Sequence, residues 1–129
     1  MQKSNEAMNY TVTQLFDTMN ERFRPDKAGD LEVTIVYEFG DGRKWTVRIY
    51  KGTVHVDSDD SAGGDETIRV FFKDESVLLG LVANTIDPFK AFRQKDLRLA
   101  GNWELLGKVR ASFEVPEELR DIQIIDEKP

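Results

Sequence analysis

Between Leu31 and Val56, apolar side chains fall on every second residue, and only Gly40-Asp41-Gly42 and Lys51-Gly52 break the pattern. A period of two puts alternate residues on one face of a strand, so this stretch predicts three strands with a single buried side. Leu31, Val33, Ile35, Tyr37 and Phe39 alternate with Glu32, Thr34, Val36 and Glu38. If Asp41-Gly42 alone made the first turn, Tyr37 would pair with Thr46 and Ile35 with Arg48, mixing apolar and polar groups on one face. A three-residue loop, Gly40 to Gly42, instead pairs Tyr37 with Trp45, Ile35 with Val47 and Val33 with Ile49, and sets Glu38 opposite Lys44. The two-residue Lys51-Gly52 turn then sets Ile49 beside Val54 and Val47 beside Val56. The result is an antiparallel meander whose other face, with Thr34, Lys44, Thr46, Arg48, Thr53, His55 and Asp57, meets water.

The flanking sequence supplies helices for the buried face. Thr11 and Gln14 have capping-box spacing, and Val12, Leu15, Phe16, Met19 and Phe23 recur at helical intervals, predicting an amphipathic helix that ends before Pro25. Residues 58 to 66, SDDSAGGDE, read as a mobile acidic loop. Ile68, Val70 and Phe72 form a fourth strand, and Asp74 caps a helix through Leu78, Leu79 and Val82 that stops near Asn84. In DPFKAFRQKDLRLAGNW, Asp87 with Pro88 starts a short helix, Leu97 and Leu99 form a last strand, and Asn102 caps a helix bearing Trp103, Leu106, Val109 and Phe113. Residues 1–10 are expected to be a flexible tail, 11–114 one domain, and 115–129 a tail whose Leu119, Ile122, Ile124 and Ile125 pack on the domain or on a partner.

Composition removes several functions. A net charge of −6 works against nucleic acid, whose binding rests on Lys and Arg neutralising phosphates. The same sign opposes docking on an anionic membrane, and no run of positive charge stands out along the chain. No apolar run nears the length of about 18 residues needed for a membrane span, and the N-terminus lacks the apolar stretch of a signal peptide, so stable membrane insertion is not expected and a cytoplasmic location is. The chain has no cysteine and one histidine, which leaves no disulfide, no thiolate nucleophile and no zinc site. His55 falls beside Arg48 with no evident carboxylate to orient it, and neither GxSxG, Walker A nor GxGxxG occurs. Asp57, Asp59 and Ser61 alternate like calcium ligands, yet Ala62 stands where an EF-hand needs glycine and Ile68 where it needs glutamate. No metal, cofactor or catalytic group is therefore expected, and apolar surface is what the chain offers.

The stretch LLGLVANTIDPFKAFRQKDLRLAGNWELLGKV resembles the sterol carrier protein family of the second type, in which a Pro, an Ala-Phe, a small strand and a Gly-Asn follow one another at this spacing. Pro88, Ala91 with Phe92, Leu97 with Leu99, and Gly101 with Asn102 carry the likeness. Asn84 and Lys95 depart from it, standing where the family often has glycine. The resemblance implies a stand-alone α+β domain with a five-stranded, mixed and mostly antiparallel sheet, helices over one face, and a hydrophobic cavity between them. It also implies a non-catalytic carrier of sterol, fatty acid, fatty acyl-CoA or phospholipid. Each CH₂ of an acyl chain removed from water gains about 0.8 kcal/mol, so such a cavity selects broadly. Leu15, Phe16, Met19, Leu78, Val82, Phe89, Phe92, Trp103 and Leu106 are its expected walls.

A second reading stays open, because the sequence allows a filled core as readily as a cavity. The chain would then be an interaction module, forming a homodimer through Leu119 to Ile125 or through Val36, Tyr50 and Phe71, as an accessory to a lipid-handling or isoprenoid-quinone pathway.

Overall fold

The computed structural model describes residues 10–61 and 67–119, so the expectations for the N-terminal tail up to residue 9, for the middle of the acidic loop, and for Ile122, Ile124 and Ile125 fall outside it. Three short helices come first: α1 (Val12–Asp17), α2 (Met19–Arg22) and α3 (Pro25–Ala28). Strands β1 (Val33–Phe39), β2 (Lys44–Tyr50) and β3 (Thr53–Asp57) follow, then β4 (Thr67–Phe72), α4 (Glu75–Val82), α5 (Pro88–Arg93) and β5 (Leu97–Ala100). A 3-10 turn (Trp103–Leu105) leads into α6 (Leu106–Ala111). The strand order is β3-β2-β1-β4-β5, with β1 and β4 parallel and every other pair antiparallel.

The register is the one that hydrophobic pattern demanded. Tyr37 faces Trp45, Ile35 faces Val47, Val33 faces Ile49 and Glu38 faces Lys44. Across the next turn Ile49 faces Val54 and Val47 faces Val56. Lys51 and Gly52 both take positive φ, 48° and 75°, the geometry that lets a two-residue loop follow the twist of its strands. The buried row continues into the second half of the sheet, where Ile35, Tyr37 and Phe39 lie beside Ile68, Val70 and Phe72, and the last two oppose Leu99 and Leu97.

Local capping follows the sequence closely. Thr11 and Gln14 form the reciprocal capping box at α1, Asp74 accepts from the Ser76 N–H at α4, and Asp87 accepts from the Phe89 N–H at α5. Asn102 does not cap: its side chain makes no bond to the following turn, which is 3-10 because the Leu105 N–H reaches the Asn102 carbonyl at 3.2 Å and the Leu106 N–H the Trp103 carbonyl. Asn84 and Lys95, the two departures from glycine, both sit in the left-handed region at φ 64°. Asparagine tolerates that conformation, whereas lysine pays for its Cβ. Lys95→Gly is therefore expected to stabilise the fold by roughly 0.5–1 kcal/mol, read as a higher urea midpoint at unchanged slope, and Asn84→Gly by less.

Two features depart from expectation. The first helix does not run unbroken to Phe23; it stops at Thr18, whose hydroxyl donates to the Gln14 carbonyl at 2.9 Å and whose φ of −99° leaves the helix. Arg22 fills the break, donating to the Thr18 hydroxyl at 3.0 Å, the Leu15 carbonyl at 2.6 Å and the Glu114 carbonyl at 2.7 Å. Main-chain bonds from Arg24 to Ser112 and from Glu114 to Arg22 tie the same corner to the chain after α6. Tyr10, expected in the tail, is packed into the core.

The outer face is also less wet than an open sheet. Thr46 and Val36, neighbours in one row, are fully buried. The start of the acidic loop lies over this row: Thr46 donates to the Asp59 carbonyl at 2.6 Å, the Ser61 N–H donates to the Thr46 hydroxyl at 3.0 Å, and Arg69 pairs with Asp60 at 3.0 Å. Asp57 anchors the loop, accepting from the Ser61 hydroxyl at 2.8 Å and from Arg48 at 3.3 Å, while Arg48 also reaches the Ser61 carbonyl. The described part of the loop is thus strapped down rather than free. The Ser61 hydroxyl, with His55 and Arg48, holds the Asp57 carboxyl below its ordinary value of 3.8. A depressed carboxylate pKa stabilises above the ordinary value and is lost as pH falls through the lower folded one. Protection of the Ser61 amide against hydrogen exchange is accordingly expected to drop below pH 3.8, and Asp57→Asn to abolish that dependence.

Candidate functional site

The nine expected wall residues divide into an inner and an outer tier. Leu15, Phe16 and Met19 recur at helical spacing through α1 and α2, and all three are buried against the sheet. Leu78 is buried on α4, while Val82 and Leu106 are half-buried at the margin of the same core. Aromatic rings occupy the layer under α1. Phe16 stacks on Trp45 at 4.7 Å and meets Tyr37 edge-on at 5.0 Å; Phe39 lies 5.6 Å from Trp45 and 5.3 Å from Phe72. Burial pushes the Tyr37 hydroxyl up to about 12, and it lowers the nearby Arg22, so polar groups at this end are held in a dry setting.

The outer tier is on the surface. Phe89 is 74% exposed, Phe92 52% and Trp103 60%. The reason is local: α5 has six residues and buries only Ala91, so Phe89 and Phe92, one turn apart, point away from the sheet. The 3-10 turn that carries Trp103 buries no residue at all. These three side chains stand exposed, on a segment joined to the sheet through β5. Backbone bonds from Asp96 to Ala91 and from Lys73 to Asp96 fix α5 to the β4–β5 end. Arg110 ties α6 to the end of α4 by donating to the Leu81 carbonyl at 3.1 Å.

The outer face of the sheet carries two open grooves, of about 280 and 490 Å³, at a distance from the expected site. Val36, Arg69, Phe71 and Arg98 help line the first; Glu32, Thr34, Arg48 and Tyr50 help line the second. His55 has a carboxylate partner after all, Asp57 at 3.0 Å, which lies two residues along the same strand face. That spacing was visible in the sequence as alternation on one face. The pair does not assemble a nucleophile, because the Ser61 hydroxyl points to Asp57 and not to His55. Of the residues offered for a dimer surface, Val36 and Leu119 are buried within the chain, Phe71 lies 4.2 Å under the Arg98 guanidinium, and Tyr50 is 52% exposed.

Comparison with known proteins fits this architecture. The family model described as alkyl sulfatase C-terminal matches residues 2–122. Among solved structures, the stereoselective inverting sec-alkylsulfatase Pisa1 from Pseudomonas sp. is similar over 84% of this chain, at 19% identity and a TM-score of 0.73. This chain covers only 17% of that enzyme. The ubiquinone synthesis protein UbiJ-SCP2 is similar over 89% of this chain and 92% of its own, at 16% identity and a TM-score of 0.58. Palmitated SCP2L2 from Aedes aegypti is similar over 78% and 92%, at 20% identity and a TM-score of 0.54. No curated protein matches the chain. Among the described residues no helix is long and apolar enough to cross a membrane. The fold is the α+β fold of sterol carrier protein 2 domains, and the chain belongs to the alkyl sulfatase C-terminal family.

Proposed function

We propose that this domain binds the apolar chain of a lipid or other amphiphile without catalysing its conversion. The observation that carries the reading is the pairing of an apolar helical layer with a rim of exposed aromatics, Phe89, Phe92 and Trp103, all within one segment. The rim residues guide the chain in, and Val82, Leu106, Leu78, Met19, Leu15 and Phe16 receive it as the layer loosens. Sterol, fatty acid, fatty acyl-CoA and phospholipid all suit a site that selects by burial alone, and an alkyl sulfate belongs to the same class of amphiphile. Two similar structures support this reading, since one is named as palmitated and the other acts as an alkylsulfatase. Displacement of a fluorescent fatty acid, with native mass spectrometry of the complex, tests it. The expected result is saturable binding of one chain, weakened about tenfold or more by the double substitution Phe92→Ser, Trp103→Ser, at an unchanged thermal midpoint. Absence of binding, or binding that ignores both substitutions, overturns the proposal.

The aromatic stack beneath α1 favours a second reading, an interaction module with a filled core, accessory to lipid or isoprenoid-quinone handling as the likeness to UbiJ-SCP2 suggests. A dimer by light scattering, with no lipid bound, is the outcome that selects it.

A further inference from the structure

We propose that α5 and the 3-10 turn dock on the surface of an anionic lipid bilayer. The proposal builds on the lipid-binding reading by naming where the ligand is taken up. Residues 88–113 carry six Lys and Arg against two acidic residues, a net +4 inside a chain of net −6, which leaves −10 elsewhere. No run of positive charge shows along the sequence because apolar and neutral residues separate the cations; the fold brings them out on the segment that holds the exposed rings. On α5, Phe89, Phe92 and Arg93 share one face at helical spacing, with Ala91 turned inward. Lys90, Arg93, Lys95 and Lys108 are exposed, and none pairs with a carboxylate among the described residues. The other two cations are engaged within the chain, Arg98 on Phe71 and Arg110 on the Leu81 carbonyl.

Lys95 strengthens the case. It holds a left-handed backbone that glycine would adopt at less cost, and its ammonium pairs with no carboxylate among the described residues. Exposed Phe and Trp beside unpaired Lys and Arg is the composition that settles at a lipid headgroup layer, rings at the acyl boundary and cations on phosphates. Acidic patches on a second copy offer the same charge but nothing for the rings to enter.

The test uses the full chain with vesicles of phosphatidylcholine alone or mixed with phosphatidylglycerol, measured by co-sedimentation and by tryptophan emission. Trp45 is buried, so a blue shift on binding reports on Trp103. The expected result is binding to the anionic vesicles only, with a blue shift. The triple substitution Lys90→Gln, Arg93→Gln, Lys95→Gln lowers the partition coefficient about 100-fold, at about fivefold per cation. The soluble fatty-acid probe is run on the same samples. Probe binding without vesicle binding overturns the docking proposal and leaves the lipid-binding reading standing; loss of both overturns both. Salt-dependent self-association that the triple substitution abolishes, without vesicle binding, assigns the surface to a second copy and overturns the proposal.

Discussion

Phe16→Ala is expected to lower the free energy of unfolding by about 3–5 kcal/mol, the usual loss when a large ring is removed from a packed core. Phe16 is 2% exposed and touches two other rings, so the neighbours have little freedom to close the gap: Trp45 lies flat against it and Tyr37 is held at its edge. Dispersion contacts on both sides are lost along with the transfer energy. Urea unfolding followed by near-ultraviolet circular dichroism checks the size of the effect, and a loss below about 1.5 kcal/mol would mean that the ring is not packed as described. The same substitution empties space in the layer where an acyl chain is proposed to lie. Tighter binding of the fatty-acid probe is therefore expected to accompany the lost stability.

Arg22→Met is the second large effect, a loss of roughly 3 kcal/mol. Methionine keeps the aliphatic stem, so packing changes little. What disappears is the guanidinium that serves the Leu15 carbonyl, the Thr18 hydroxyl and the Glu114 carbonyl together. Burial lowers the Arg22 pKa, opposed by the charges of Tyr10, Tyr37, Glu118 and Glu21, so the three directed bonds serve a cation that is already partly out of water. Without it, the broken end of α1 and the chain after α6 lose their common donor. Chemical denaturation with Arg22→Lys alongside checks the claim: lysine restores charge but not three directed bonds, so it is expected to fall between wild type and Arg22→Met.

The sheet was legible in the sequence because two constraints act on it at once. A one-residue slip would turn every apolar side chain outward, so pattern alone rejected the shorter Asp41-Gly42 turn and chose the pairing found. Caps at Thr11, Asp74 and Asp87 were legible for the same reason: each needs a specific oxygen one turn before an apolar period. The break at Thr18 was not, since the apolar stripe continues across it and only a residue distant in sequence, Glu114, explains why Arg22 belongs there. The strap over the outer face escaped likewise, because SDDSAGGDE reads as solvated until Arg48, Thr46 and Arg69 are placed beneath it.

The candidate site was half legible. Periodicity identified Leu15, Phe16, Met19 and Leu78 as inward-facing, and they are. It could not tell a ring that lines an interior from one that rims it, since α5 is a turn and a half long and only its packing through Ala91 decides which side Phe89 and Phe92 take. The charge separation between residues 88–113 and the rest was present in the sequence throughout, hidden by spacing and outweighed by the net value.

The most direct test of lipid binding is a nuclear magnetic resonance titration with a ¹³C-labelled fatty acid, reading intermolecular contacts between the acyl chain and protein side chains. Contacts are expected from the chain to the rings of Phe92 and Trp103 and to the methyl groups of Met19, Leu78 and Leu106. A saturating titration with no such contacts, or with contacts confined to the outer face around Val36, Phe71 and Tyr50, would contradict it.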